Sequence, residues 1–569
     1  MTTEAPPEAH PAAEPPAAPA PRRRLTTLSR TAAGRPVPPA RERAAGRARL
    51  EDPLISWSAA IGITVLAFVM RVWNLGDPHK FAFDETYYAK DAWSLLHYGH
   101  AQDYVDSAND LILGGTTTGV WKDTASMAVH PDGGKWLIAL GEHFFGMDPF
   151  GWRIASAVVG SLMVLVMCRL GRRLTGSTLL GCVAGLLLMF DGLHFVLSRL
   201  ALLDIFVAFW LLCAVACVVN DRDWFRAKLG RLAPDGVTSG FGPVRGLLFR
   251  PWLLLAGICF GLAIGTKWTA LYPLAAFGLL VWAWCWGARR SFGVRWPVLR
   301  SALVDGLPAF VHLVVIGAIA YLMTWTGWLM HANDYERDLS STQYTHFNGG
   351  QDWPTASEPD ASGLGEVWQS MRSLAHYHRD VYVFHTQFLN DATHTYQSQP
   401  SGWPLLNRGV GVDADTDIQP GEDGCTAPEG SNCLRQILLL GTPALWWGGC
   451  LAMLWGLVMW IGARDWRWGV PIVGLLSGWL PWMQYDDRPI FLFYAIVLVP
   501  FLALAATLAM GQMIGTSREP SRRRTLGVVA AGSFFVLVLA NFAWFWPIYT
   551  DGLLTHSEWL GRIWFKRWV

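Results

Sequence analysis

The chain has 569 residues, 52% of them hydrophobic and 16% charged, where an ordinary soluble chain carries about 25% charged residues. Its formal net charge of +1 offers no basic footprint for nucleic acid. The missing charge is concentrated in long uncharged runs, which excludes a soluble enzyme, a collagen-like chain and a disulfide-knotted secreted domain, and indicates an all-α polytopic membrane protein. The 32 Trp fit the same reading, because Trp favours membrane–water interfaces.

In chain order, residues 1–50 are rich in Pro, Ala and Arg and are expected to form a disordered cytoplasmic tail. Eleven apolar spans follow, near 55–73, 152–169, 177–192, 201–219, 252–267, 270–287, 305–328, 441–461, 469–484, 490–512 and 526–547. The third, fifth and ninth are short against the roughly 20 residues a bilayer requires. A cytoplasmic N-terminus places 28 of the 45 Lys and Arg on the cytoplasmic side, a positive-inside pattern. The expected organisation is the tail, a membrane module over 51–328 with a first outer loop at 74–151, a large outer loop at 329–440 and a second membrane module over 441–569.

The first outer loop opens with FAFDETYYAKDAWSLLHYGH, 81–100. Tyr88, Ala92, Leu95 and Leu96 recur at helical spacing, predicting an amphipathic helix on the outer leaflet. The adjacent acids Asp84 and Glu85 lie in its first turn, as catalytic groups or simply as caps. His130, Pro131 and Lys135 precede an apolar stretch, 134–146, too short to cross and expected to be interfacial or re-entrant. Lys135 is either a phosphate ligand or a snorkelling lysine. Arg153 opens the second span and needs a partner there; Asp84 or Glu85 can supply it. Arg199 and Asp204 flank the start of the fourth span and form either a structural pair, the reading favoured for Asp204, or part of a functional pocket. Lys267 sits in a very short outer turn.

The large outer loop carries His376, His378, His385 and His394 in a ring-rich stretch without HExxH or CxxC spacing, so zinc is weakly supported. Cys425 and Cys433 are the only cysteines in an outer loop, and an oxidising compartment permits a disulfide between them. A last outer turn holds Asp486, Asp487 and Arg488. The cations thus gather at one membrane boundary, where they suit a phosphate leaving group.

The segments FAFDETYYAKDA, HPDGGKWLIALG, WRIASAVVGSLMV, LSRLALLDIF, HYHRD, TYQSQPSGWPLL and DDRPIFLFYA, in this order, resemble the protein O-mannosyltransferases of glycosyltransferase family 39, especially the actinobacterial members. The resemblance implies a GT-C fold with about eleven transmembrane helices, a polyprenyl-phosphate mannose donor and Ser or Thr acceptors on exported proteins. It makes Asp84 and Glu85 the catalytic-site signature and matches Arg153 to the family's arginine. Where many members read His-Pro-Pro, this chain has His130-Pro131-Asp132, and loop 329–440 is too short for an inserted MIR domain.

Together these readings give an inverting transferase in the plasma membrane. Asp84 is expected to act as the general base, with Glu85 orienting the site through Arg153 or assisting the acceptor. The donor is bound by Arg153, Lys135, Lys267, Arg488, Arg199, His376 and His130. No cofactor is required by the sequence, and a divalent metal is left open. Membrane lipids and the secretion machinery are the other expected partners, with no nucleic acid. The alternatives are a GT-C transferase for another lipid-linked sugar or acceptor, and a transporter.

Overall fold

The computed structural model describes residues 53–517 and 519–569; the expected tail, 1–50, lies outside the described residues. Among these, nine helices are long and apolar enough to cross a bilayer: Pro53–Val72, Pro149–Thr175, Leu203–Leu232, Arg245–Ile264, Trp268–Ser291, Pro297–Met323, Pro443–Ile461, Leu492–Ile514 and Arg522–Tyr549. The expected third and ninth spans are also helical but shorter, Thr178–Met189 and Gly469–Trp479. Both fall below the roughly 20 residues a bilayer asks for.

Local chemistry sets the helix ends. Asp148 caps Pro149–Thr175, its carboxylate accepting from the Gly151 amide at 2.7 Å with Pro149 in the first turn. Gly176, at φ 69°, ends that helix in the left-handed region. Ser177 then caps the next helix, so a two-residue link turns the chain back. Gly257 and Gly261 let Pro251–Ile264 press directly on the backbone of His312 and Gly317 in the neighbouring span, the close approach that small residues permit in membranes.

The core of the bundle is Leu492–Ile514, whose most apolar window is 89% buried, whereas Pro53–Val72 reaches only 17% and lies on the rim. At one end of the bundle, Arg250 pairs with Asp221 (Nε–Oδ1 3.1 Å) and Arg289 with Asp305 (Nη2–Oδ1 2.7 Å), both pairs buried. The opposite end carries the loops. There the helix Glu85–Tyr98 packs on Gly133–Phe145, which packs on Pro149–Thr175. Tyr88, Ala92 and Leu95 are buried as the spacing predicts, but so are Lys90, Asp91 and Ser94. Protein therefore covers these polar side chains too, while His97 on the same helix stays exposed.

The long loop folds around its rings. Trp325, Trp328, Tyr335, Trp353 and Tyr377 form one buried cluster with the helix Leu364–Val383. The Tyr377 hydroxyl donates to the Ala128 carbonyl at 2.6 Å, tying this loop to the first. Strands Val410–Ile418 and Cys433–Leu439 pair antiparallel, Val410 opposite Leu439, and a short strand Leu554–Thr555 from beyond the last span completes the sheet. Cys425 and Cys433 form a disulfide.

Candidate active site

Glu85 is fully buried and fully engaged. Arg153 grips it with two parallel bonds, Nε–Oε1 2.9 Å and Nη2–Oε2 2.8 Å, the bidentate geometry that makes such pairs strong. The amides of Ala82 and Ala201 donate to the same carboxylate, each at 2.9 Å. The remaining Arg153 donors reach the carbonyls of Leu75, Pro78 and Lys80. This pair fastens the chain between the first span and the helix Glu85–Tyr98, and thereby fixes where residue 84 points.

Asp84 occupies the N-cap position of that helix, yet its side chain makes no capping hydrogen bond. The carboxyl is half-buried, with Tyr88 Oη at 3.5 Å. Burial pushes its pKa up to about 6; Lys267 pulls it back down and Asp204 pushes it up again. A group poised there is close to the neutral range in which general bases work best.

The expected Arg199–Asp204 pair does not form. Arg199 precedes the helix Leu203–Leu232 and donates instead to the carbonyls of Arg71, Trp73 and Asn74, at 2.8, 2.6 and 3.0 Å. These bonds close the end of the first span. Asp204 pairs with Lys267 (Oδ2–Nζ 2.7 Å), whose ammonium also lies 5.1 Å from the centre of the Tyr494 ring.

Lys135 is likewise engaged by protein groups. Its side chain is 1% exposed, and its ammonium lies 3.1 Å from both Asp91 and Asp132. Burial works against that charge, yet the two carboxylates hold it above its ordinary range. Asp132, the departure from His-Pro-Pro, is thus one of the three members of a buried triad. His376 sits on Leu364–Val383 among Arg372, Arg379 and Asp380, and none of the groups acting on its ring belongs to the Asp84 cluster.

His130 and Arg488 do converge on the site. The His130 ring stacks on His385 at 5.3 Å, and burial followed by Lys267, His385, Lys135 and Arg488 holds its pKa well below the usual value. Arg488 Nη1 lies 3.1 Å from His385 Nδ1 and 3.0 Å from the His385 carbonyl. Asp204, Tyr494 and His385 were missed as site residues; each joins through a contact far away along the chain that no local spacing marks. A cavity of about 530 Å³ runs between Trp268, Leu271, Leu274, Val314, Tyr321 and His378, starting one residue along the chain from Lys267. Among the described residues, no cluster of His, Cys, Asp and Glu is arranged to hold a metal.

The geometry therefore joins a poised carboxyl and two cations at one end of a membrane bundle. A family model for dolichyl-phosphate-mannose-protein mannosyltransferase matches residues 61–242, and one for the C-terminal four-transmembrane region of protein O-mannosyltransferase matches 370–568. The polyprenol-phosphate-mannose–protein mannosyltransferase of Mycolicibacterium smegmatis (strain MKD8) is 34% identical over 524 residues, covering 91% of this chain and 94% of the relative. The chain belongs to the protein O-mannosyltransferase family. The Corynebacterium glutamicum family member is 32% identical, with 89% of this chain and 92% of the relative covered. The fold of a protein O-mannosyltransferase agrees: the Saccharomyces cerevisiae Pmt1-Pmt2 complex bound to the sugar donor superposes with a TM-score of 0.63 at 14% identity, over 92% of this chain and 93% of that one. The architecture is the GT-C fold of membrane glycosyltransferases.

Proposed function

We propose that the chain transfers mannose from polyprenyl-phosphate mannose to a Ser or Thr hydroxyl of an exported protein, at the outer face of the plasma membrane. The observation that carries this reading is Asp84: an uncapped carboxyl lifted towards neutrality, facing Lys267 and Asp204. A hydroxyl is a poor nucleophile while it holds its proton. Asp84 takes that proton as the hydroxyl oxygen bonds to the anomeric carbon. The bond from that carbon to the phosphate oxygen breaks, and the electron pair leaves with the polyprenyl monophosphate. Lys267 and Arg488 stabilise the developing negative charge, the kind of preorganised electrostatics that lowers such barriers.

One base and one displacement give inversion at the anomeric carbon; retention would need a second, nucleophilic carboxylate. Glu85 is saturated by Arg153 and two amides, which supports a positioning role and leaves Asp84 as the base. The cavity that starts at Trp268 is lined mostly by apolar and ring side chains, with Arg379 also in its wall, and suits the first isoprene units of the donor.

The test is Asp84→Asn, purified and checked for folding, assayed with polyprenyl-phosphate mannose and a Ser/Thr peptide. Removing a general base lowers turnover by about 10²–10⁴-fold. Turnover close to that of the unaltered chain would dismiss Asp84 as the base.

A further inference from the structure

We propose that His385 is a positioning residue of the transfer site: as a neutral acceptor it aims the Arg488 guanidinium at the phosphate of the lipid donor. The inference rests on the transfer reading above, and it concerns a side chain which that reading leaves without a role.

The two ring nitrogens of His385 have different partners. Nε2 lies 3.2 Å from the Val129 carbonyl oxygen, which can only accept, so Nε2 carries the proton. Nδ1 then presents a lone pair, and Arg488 Nη1 donates to it at 3.1 Å. The same Nη1 donates to the His385 backbone carbonyl at 3.0 Å. One edge of the guanidinium is thereby held by a single residue of the loop 329–440. Stacking on His130 fixes the plane of the ring from its other side. Burial and the Arg488 charge keep the imidazole at about 4, so the acceptor nitrogen stays unprotonated through the neutral range.

Arg488 is not used up by this arrangement. Its Nε is buried and has no hydrogen-bond partner. A buried donor left unpaired on a cation is costly unless a ligand meets it. The facing surroundings are Lys267, Tyr494 and His130, which suit a phosphate monoester. Tyr494 also hydrogen-bonds the guanidinium; with these anchors in place, the unpartnered Nε is left to meet such a group in a fixed direction.

The test compares His385→Leu with His385→Asn in the full chain. Asn keeps an acceptor oxygen where Nδ1 stands; Leu does not. The expected result for Leu is a KM for polyprenyl-phosphate mannose raised about tenfold or more, with kcat changed less, since a lost charge-assisted bond is worth roughly 1.5–3 kcal/mol. Asn restores the KM to within about threefold of the unaltered chain on the same scale. Direct binding of polyprenyl monophosphate weakens in parallel in the Leu variant, and in an Arg488→Ala background the Leu change adds nothing further. Equal affinity for polyprenyl monophosphate in the Leu variant and the unaltered chain would overturn the inference. So would an Asn variant as weak as Leu. Because the binding readout needs no turnover, absence of mannose transfer by the unaltered chain would sink the transfer reading alone.

Discussion

At the scale of single residues, two neighbouring acids have opposite fates. Glu85 is enclosed by Arg153 and backbone amides; Asp84, one residue earlier, has almost no partner. Their substitutions should differ in kind. Arg153→Ala leaves a buried carboxylate unpaired and should destabilise the fold by about 3–5 kcal/mol, read as a lowered melting temperature in detergent. Asp84→Asn should do the reverse. A carboxyl whose folded pKa is raised loses stability as pH climbs through that value, here about 6. The Asn variant should therefore melt above the unaltered chain at pH 7.5 and together with it at pH 4. The same value sets the catalytic profile: kcat/KM should fall as pH drops through about 6, because the base must be ionised. Lys267→Met removes the group that opposes the shift, so whatever activity remains should show its acid limb at higher pH.

At the scale of elements, the buried triad of Lys135, Asp91 and Asp132 joins the helices Glu85–Tyr98 and Gly133–Phe145. Lys135→Met strands two carboxylates and should cost about 3–5 kcal/mol. A well-folded variant with only a raised donor KM would instead return Lys135 to phosphate binding. The disulfide closes a short loop at the edge of the three-stranded sheet, its cysteines 8 residues apart. Chain entropy gives such a closure about 2.5 kcal/mol, so Cys425→Ser with Cys433→Ser should lower thermal stability while transfer continues. Helix periodicity, the Asp84-Glu85 pair and the cysteine pair could all be read along the chain. The pairings that build the site could not. Glu85 and Arg153 are 68 residues apart, Asp204 and Lys267 63, and His385 and Arg488 103. Proximity in sequence even misleads: Arg199 and Asp204 look like partners, but the turn before Leu203 sends the guanidinium to three carbonyls. Residue type and position survive in a linear reading; which side chain meets which depends on helix packing, and that leaves no local mark.

At the scale of the whole molecule, the described ends of the bundle differ. Asp84, Lys267 and Arg488 gather at one, and the Arg250–Asp221 and Arg289–Asp305 pairs hold the other. The Lys and Arg distribution supports the proposal that the first end faces outside. In intact cells, Ser362→Cys in the loop 329–440 should react with a membrane-impermeant maleimide, while Arg295→Cys should react only after lysis. The opposite pattern would invert the topology. The sheet of that loop has a further implication. Its third strand, Leu554–Thr555, lies beyond Arg522–Tyr549, and Trp568 reaches back to bond the Leu406 carbonyl at 2.6 Å. The loop therefore cannot finish folding when it first emerges from the ribosome. It must wait until the final helix has been inserted and its flanking segment delivered to the same face. A nascent chain stalled before that moment would hold an open loop, and the enzyme would mature only once synthesis of its closing segment was done.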